Sequence, residues 1–574
     1  MKRIFILLTC LVFSALSLVA QPIIEPELRD EMSRRGDEEK IKISILMQEQ
    51  ADATLLSRKA NFLATKQERR AFVVEQLQRQ AEASQSDLLG LLREMERNGM
   101  VYDIRPLWIV NAISCEANKT AIDALAKRHE IKSLDYCNKT PWLFDAEPSS
   151  TPALTSRAIG DNVMQVNADK VWEQGYKGQG VLVALIDTGV NDHADLAGRM
   201  WDGGEAYPNH GYDFVNDNNN PIDERGHGTH CAGTICGTGV SGTQTGMAPE
   251  ATLMNLKVFD AEGETDAALW CTAMQFAVEH GAEVINMSVG AGGISETKII
   301  LIRQTCENTL AANVIATAAG GNMRQMQFLL PVPNNISLPG SCPPPWLHED
   351  QMVNAGGTSC VICVGAVDQN NVIANFSSVG PTTWADIPAF GDYPYTAGSP
   401  TEIGVIRPDI CAPGVDIVSL DYLTDDGYTM KFGTSMATPC VAGVIALMLS
   451  KNRELTPAQI DEILETTAVK VDEHKNNDYG SGPVDALAAV NAVNYDGVNE
   501  IKPAVVVYPN PSSGTFTVTC EGMSQIQVFS VDGRLIQCLE TQSDFVQISG
   551  LTDGVYVLRI KKGSEMLMRK IVKF

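Results

Sequence analysis

The chain has 574 residues, too many for one core, and about 150 residues per domain suggests three or four units. Its formal net charge of -26 and pI near 4.7 argue against nucleic acid or an anionic membrane surface as partner. Apolar residues at 44% and aromatics at 6% are ordinary for soluble globular protein.

Lys2 and Arg3 precede an almost wholly apolar run from Ile4 to Ala20. That layout predicts a secretory signal peptide over residues 1–20, with a signal anchor as the alternative. No later run reaches the roughly 18 apolar residues of a membrane span, so none is expected in the mature chain. Val441 to Leu449 is apolar but short, and reads as a buried helix. Fourteen cysteines are present, one of them Cys10 in the leader. The remaining odd number leaves at least one thiol free, or paired between chains, after export. Cys360-Val-Ile-Cys363 lies in a strand-like run whose alternating faces make a poor metal chelate.

Residues 21–145 open with a strand of alternating Ile41, Ile43, Ile45 and Met47. Phe72/Val73, Leu77, Ser84, Leu88, Leu91/Leu92 and Met95 then recur on one face of a long helix. A second strand is expected from Leu107 to Cys115, a short helix from Ala121 to Ala126, and a third strand near Ile131 to Tyr136. This β-α-β-α-β order predicts a small α+β domain. Residues 146–157, rich in Pro, Ser and Thr and without periodicity, read as an exposed linker.

Residues 158–496 alternate short apolar runs with amphipathic segments. Val181–Ile186, Thr252–Phe259, Glu283–Val289, Asn313–Ala318 and Cys360–Val364 suit strands buried on both faces. Helical patterns lie between them at Asp266–His280 and Thr297–Ala312. The alternation predicts an α/β domain with a doubly wound parallel sheet. Beyond Tyr495 the pattern changes to short strands and tight turns, with Asp532-Gly533 as a hairpin signal. Residues 503–574 hold roughly seven such strands, enough for a small β-sandwich.

Three motifs carry chemistry. Val183-Ala-Leu-Ile-Asp187-Thr-Gly189 puts a carboxylate at the end of a buried strand. Arg225-Gly-His227-Gly-Thr-His230-Cys231-Ala-Gly233 puts a histidine at a helix start, with glycines permitting close backbone approach. Phe432-Gly-Thr-Ser435-Met-Ala-Thr-Pro439 sets a serine at a helix N-terminus, where free N–H groups favour a developing anion. A serine hydroxyl needs a base to take its proton, and His227 can do so. Asp187 can hold the ring in the required tautomer. His227 and His230, three apart, could instead bind metal, but no HExxH glutamate accompanies them. Cys231 reads as a packed thiol beneath the site.

The order Asp187, His227, Ser435, within the strings IDTGV, GHGTHCAG and GTSMATP, resembles the subtilisin-like serine peptidases, or subtilases. The resemblance implies that Asn322, in Ala318-Ala-Gly-Gly-Asn322, completes an oxyanion hole with the backbone N–H of Ser435. It implies that Ala319, Gly320 and Gly321 line the substrate pocket, although the family usually has Ala where Gly320 stands. Ser288, Val289 and Gly290 would pair with substrate backbone, and Ala261, Gly263 and Glu264 would form the strand opposite, so that an extended peptide binds by strand addition. Cys440 replaces a histidine common in the family. No cofactor is implied for catalysis.

Asp213, Asn216, Asn218, Asn220 and Asp223 form an oxygen-rich loop similar to one that binds calcium in some subtilases. An Asx-rich turn without an ion is the equal alternative. Residues 41–136, with Leu107-Trp-Ile-Val-Asn-Ala112, resemble the inhibitory prodomain of bacillopeptidase-F-like subtilases. Val507-Tyr-Pro-Asn-Pro-Ser-Ser-Gly514 and Leu551-Thr-Asp-Gly-Val-Tyr-Val-Leu-Arg559 resemble a type IX secretion sorting domain. The combined expectation is a secreted or cell-surface serine endopeptidase, exported through the periplasm as a self-processing zymogen. Its partners would be peptide or protein substrates, its own prodomain and the type IX secretion machinery. The alternatives are a catalytically inactive subtilase-fold surface binding module and a peptide ligase on the same fold.

Overall fold

A computed structural model describes residues 22–141, 159–343, 359–393, 404–493, 506–508, 514–520, 522–530, 534–541, 543, 545–563 and 565–573. The expected leader and linker, Cys342-Pro-Pro-Pro-Trp346 beyond Pro343, and the Asp532-Gly533 turn lie outside them. The chain divides into two units after Val493, close to the boundary read from composition.

Apolar runs without alternation become the seven-stranded sheet at the centre of the first unit. Its order is Ile410–Pro413, Ile362–Val367, Ile315–Ala319, Val284–Met287, Leu182–Asp187, Thr252–Lys257, Gly211–Asp213, and every pairing is parallel. Helices cover both faces, which is why these strands are buried almost throughout. The chain winds outward in both directions from Leu182–Asp187, so the Asp187 end of that strand is a switch point where crevices form. Asp266 caps the helix Ala267–Glu279 by accepting from the Leu269 amide, and Ser295 caps Glu296–Ala311 by accepting from the Lys298 amide. The helix Thr434–Lys451 passes under the sheet almost wholly buried. Its apolar run is therefore core, as its length predicts.

Against this domain packs a second sheet, ordered Ile23–Ile24, Ile131–Tyr136, Ile41–Met47, Ala112–Ala117, Val101–Leu107. The helix Lys66–Arg97 lies on it through Val73, Leu77, Ala81, Gln85, Leu88, Leu92 and Met95. Lys119–Leu125 adds a short helix. The strand expected from Leu107 to Cys115 is in fact a hairpin, Val101–Leu107 and Ala112–Ala117. Its turn is apolar because it docks on the neighbouring domain. Ile109 and Val110 are fully buried, the Trp108 and Ile109 amides donate to Gln275 Oε1, and Asn308 Nδ2 donates to the Ile109 carbonyl. Asn111 takes the left-handed conformation, its side chain bonded to Ser84, Gln85 and the Glu49 carbonyl. Burial against another domain reproduced the pattern of a strand.

The second unit has two antiparallel sheets. One orders Val506–Tyr508, Phe516–Thr519, Phe545–Ile548; the other Leu535–Glu540, Met523–Ser530, Gly554–Lys562, Glu565–Lys573. Phe516, Val518, Ile526, Val528, Leu558 and Ile560 form their shared apolar core, as a small β-sandwich requires.

Candidate active site

Asp187 closes its strand with 1% of its surface exposed. Its Oδ1 accepts from His227 Nδ1 at 2.7 Å and from the Thr188 amide at 2.8 Å. His227 begins the helix His227–Cys236. The glycine after it is obligatory: a Cβ on Gly228 would sit 2.0 Å from the Gly189 carbonyl oxygen. Burial works against the imidazolium, but the Asp187 carboxylate outweighs it and holds the His227 pKa well above the ordinary value. His227 Nε2 is buried and has no hydrogen-bond partner.

Ser435 lies in the first turn of Thr434–Lys451. A helix leaves the N–H groups of that turn without intrahelical acceptors. Ser435 Oγ donates to the Ser288 carbonyl at 2.9 Å rather than to His227. Cys231 spans the two residues, 3.9 Å from His227 Nδ1 and donating to the Ser435 carbonyl at 3.5 Å. Burial raises the pKa of this thiol. His230 turns away, bonding the Ile417 carbonyl at 3.0 Å, and burial keeps its ring neutral; it does not join His227 at a metal.

Asn322 is latched to the nucleophile helix. Its Oδ1 accepts from the Thr434 amide and the Thr434 hydroxyl, both at 3.0 Å, so Nδ2 remains as the donor end. Gly321 donates to the same hydroxyl at 3.2 Å. Ala319 ends its strand, while Gly320 donates to the Val364 carbonyl and accepts from Ser337. The backbone groups named here are already paired within the domain.

Ser288, Val289 and Gly290 follow the strand Val284–Met287 directly. The opposite strand is shorter than expected. Asp260 to Gly263 make a tight turn, closed by Gly263 N–H to the Asp260 carbonyl, so Ala261 and Gly263 are turn residues. Gly263 has φ 80°, which favours that turn over a strand. Glu264–Thr265 alone are extended, and they pair antiparallel with Thr140–Pro141 at the end of the N-terminal domain.

The calcium ligand set does not fit. Asp213 accepts from the Val215 and Asn216 amides and from Asn216 Nδ2, while Asn218 Oδ1 accepts from the Asn220 amide. These are Asx turns. Asp223 belongs to the catalytic helix instead. Its Oδ1 accepts from Thr188 Oγ1 and the Arg225 and Gly226 amides, and its Oδ2 from the Thr229 amide and hydroxyl. A carboxylate there anchors the helix N-terminus that carries His227. Asp223 and Thr434 are the positioning residues that motif reading missed; their proximity to His227 and Ser435 in sequence was the available signal.

Residues 178–482 match the model of the subtilase family. The chain belongs to that family. Residues 506–573 match the model of a secretion system C-terminal sorting domain. The chain is similar to Bacillopeptidase F of Bacillus subtilis (strain 168), 30% identical over 79% of this chain, and spans 30% of that protein's length. Serine protease AprX of the same strain is 32% identical over 55% of this chain and 67% of its own. Subtilisin DY of Bacillus licheniformis is 31% identical over 56% of this chain and 96% of its own. The subtilase match encloses Asp187, His227, Asn322 and Ser435.

Proposed function

We propose that the protein is a serine endopeptidase, made as a self-processing zymogen and exported. The observation that carries the reading is the buried His227 Nε2, left unpaired while Asp187 fixes Nδ1, on a ring joined through Cys231 to the Ser435 carbonyl at a helix N-terminus. In this mechanism Ser435 Oγ leaves the Ser288 carbonyl and turns to His227 Nε2. Oγ then attacks the peptide carbonyl as its proton passes to His227. Asn322 Nδ2 and the Ser435 amide hold the oxyanion. His227 returns the proton to the leaving amine, and water repeats the sequence on the acyl-enzyme. Asp187, bonded to Nδ1, steadies the imidazolium.

The pairing of Thr140–Pro141 with Glu264–Thr265 supports the zymogen reading, because it lays the end of the N-terminal domain along one border of the site. The sorting-domain match supports export through the periplasm, with the type IX machinery as the partner. The intact triad favours a peptidase over an inactive binding module. Ser435→Ala removes the nucleophile and little volume. Expressed in a host without other peptidases, it should accumulate with residues 21–145 still attached, whereas wild type matures. Maturation of purified Ser435→Ala at the wild-type rate would refute self-processing.

A further inference from the structure

A cleft of about 590 Å3 is lined by Gly290, two residues beyond Ser288, and by Met323, the neighbour of Asn322. Gly290 to Ile294 form one side, continuing from the Ser288 carbonyl that receives Ser435 Oγ. Met323 lies on the other with Ile336 and Leu338. Ala291 and Leu338 exchange backbone hydrogen bonds of 2.8 and 2.9 Å, joining the two sides. Among the described residues no charged side chain lines this space, and Pro141 stands in its wall.

Trp384 is the largest side chain of that wall and is 3% exposed. It is held on every edge. Its Nε1 donates to the Ser341 carbonyl at 3.0 Å. The Arg303 guanidinium lies 4.6 Å from the ring centroid, itself held by two bonds to Asp392, at 2.9 and 2.6 Å, and one of 2.8 Å to Glu307. Phe390 packs edge-on at 5.5 Å. The carbonyls flanking Ser341, those of Gly340 and Cys342, each accept at 2.9 Å from the fully buried Arg407. Three successive carbonyls are thus fixed by two side chains, and the indole cannot swing aside without breaking a cation–π contact and a buried hydrogen bond.

We propose that Trp384 is the specificity-determining residue of this cleft, its indole setting the largest apolar side chain that the acyl portion of a substrate can insert. Arg303 and Arg407 are positioning residues that keep the indole and the Gly340–Cys342 wall in place. The proposal rests on the serine peptidase reading above. An apolar pocket discriminates by size, one methylene changing kcat/KM by roughly 10- to 200-fold, so an immobile floor translates directly into preference.

The test uses mature enzyme and peptide anilides that differ only in the residue before the scissile bond, Leu, Phe or Trp. In Trp384→Ala the Trp-to-Leu ratio of kcat/KM should rise about tenfold or more over wild type, with Trp384→Phe between them. A fluorophosphonate without a side chain should label Ser435 at the wild-type rate in both variants, which separates pocket size from damage to the triad. Should Trp384→Ala lose that labelling, Trp384→Phe, which keeps a ring against Arg303, decides alone. Ratios within about twofold of wild type in labelled variants overturn the assignment of Trp384. Failure of wild type to label or cleave overturns the peptidase reading, and the floor falls with it.

Discussion

At the scale of single residues, His227 must be neutral to accept a proton, yet Asp187 holds its pKa above the ordinary histidine value against the pull of burial. Raising the pKa of a base moves the acid limb of its activity profile upward. The kcat/KM of the mature enzyme should therefore fall as pH drops through a value above the usual 6.5 or so. Asp187→Asn should lower kcat by about 10⁴, because the ring loses its tautomer and its counter-charge. A pH profile of wild type with an inflection at or below the ordinary value would contradict this account. Asn322→Ala should cost about 10² to 10³ in kcat with little change in KM, the loss found when one oxyanion donor is removed from subtilisin. Near-wild-type turnover would remove Asn322 from the site. The Asp187–His227 pair was legible in the sequence because each residue stands at the end of an element within a glycine-bearing string, and the structure joins them at 2.7 Å, whereas the role of Asn322 came only from the resemblance to the subtilases. Asp223 was not legible. A carboxylate in an oxygen-rich loop reads equally as a cation ligand, and only the fold shows its five hydrogen bonds directed at Thr188 and the His227 helix. Asp223→Ala should consequently cost about 3 kcal/mol or more of stability, since it leaves buried donors unpaired. Thermal unfolding should show that loss alike with calcium and with chelator; a loss abolished by chelation would restore the ion.

At the scale of elements, periodicity located the helices well because their caps were in the sequence. The expected Asp266–His280 segment differs from the observed Ala267–Glu279 helix by its two capping residues. It failed where one apolar run served two partners. Leu107 to Val110 read as a continuation of a strand, but a strand would place alternate side chains on the helix Lys66–Arg97 and leave nothing for the neighbouring domain. The turn instead buries Ile109 and Val110 between elements of both domains, under the side chains of Gln275 and Asn308. Ala261 to Glu264 was misjudged for the opposite reason: likeness to a family strand concealed a glycine at positive φ. The docked turn gives a specific expectation. In Ser435→Ala, where the N-terminal domain stays attached, Ile109→Asp would bury an unpaired carboxylate at a cost of several kcal/mol. That substitution should make residues 22–141 sensitive to an added protease that spares the parent. Equal resistance would mean that the turn contributes little to holding the domain in place.

At the scale of the whole molecule, the described apolar clusters fall within one unit or the other. The clusters around Val183, Leu253 and Ala442, and around Ile186, Trp270 and Leu301, belong to the first unit; the cluster of Phe516, Ile526 and Leu558 belongs wholly to the second. Every residue of the proposed chemistry, and every described residue lining the cleft, lies before Val493. The second unit matches a secretion system C-terminal sorting domain, and the proposed export assigns the unit a part in sorting. Deleting Val505 to Phe574 should then separate location from activity. The truncated protein should fold with the thermal midpoint of its first unit unchanged, mature, and hydrolyse peptides with wild-type kcat/KM, while remaining in the periplasm of a host that exports wild type to the medium. Fractionation of such a host, with activity measured in both compartments, distinguishes the outcomes. Truncated protein outside the cell in normal amount would deny the tail its sorting role. Truncated protein confined to the periplasm but inactive would show instead that the first unit depends on the second, against the separation of their cores.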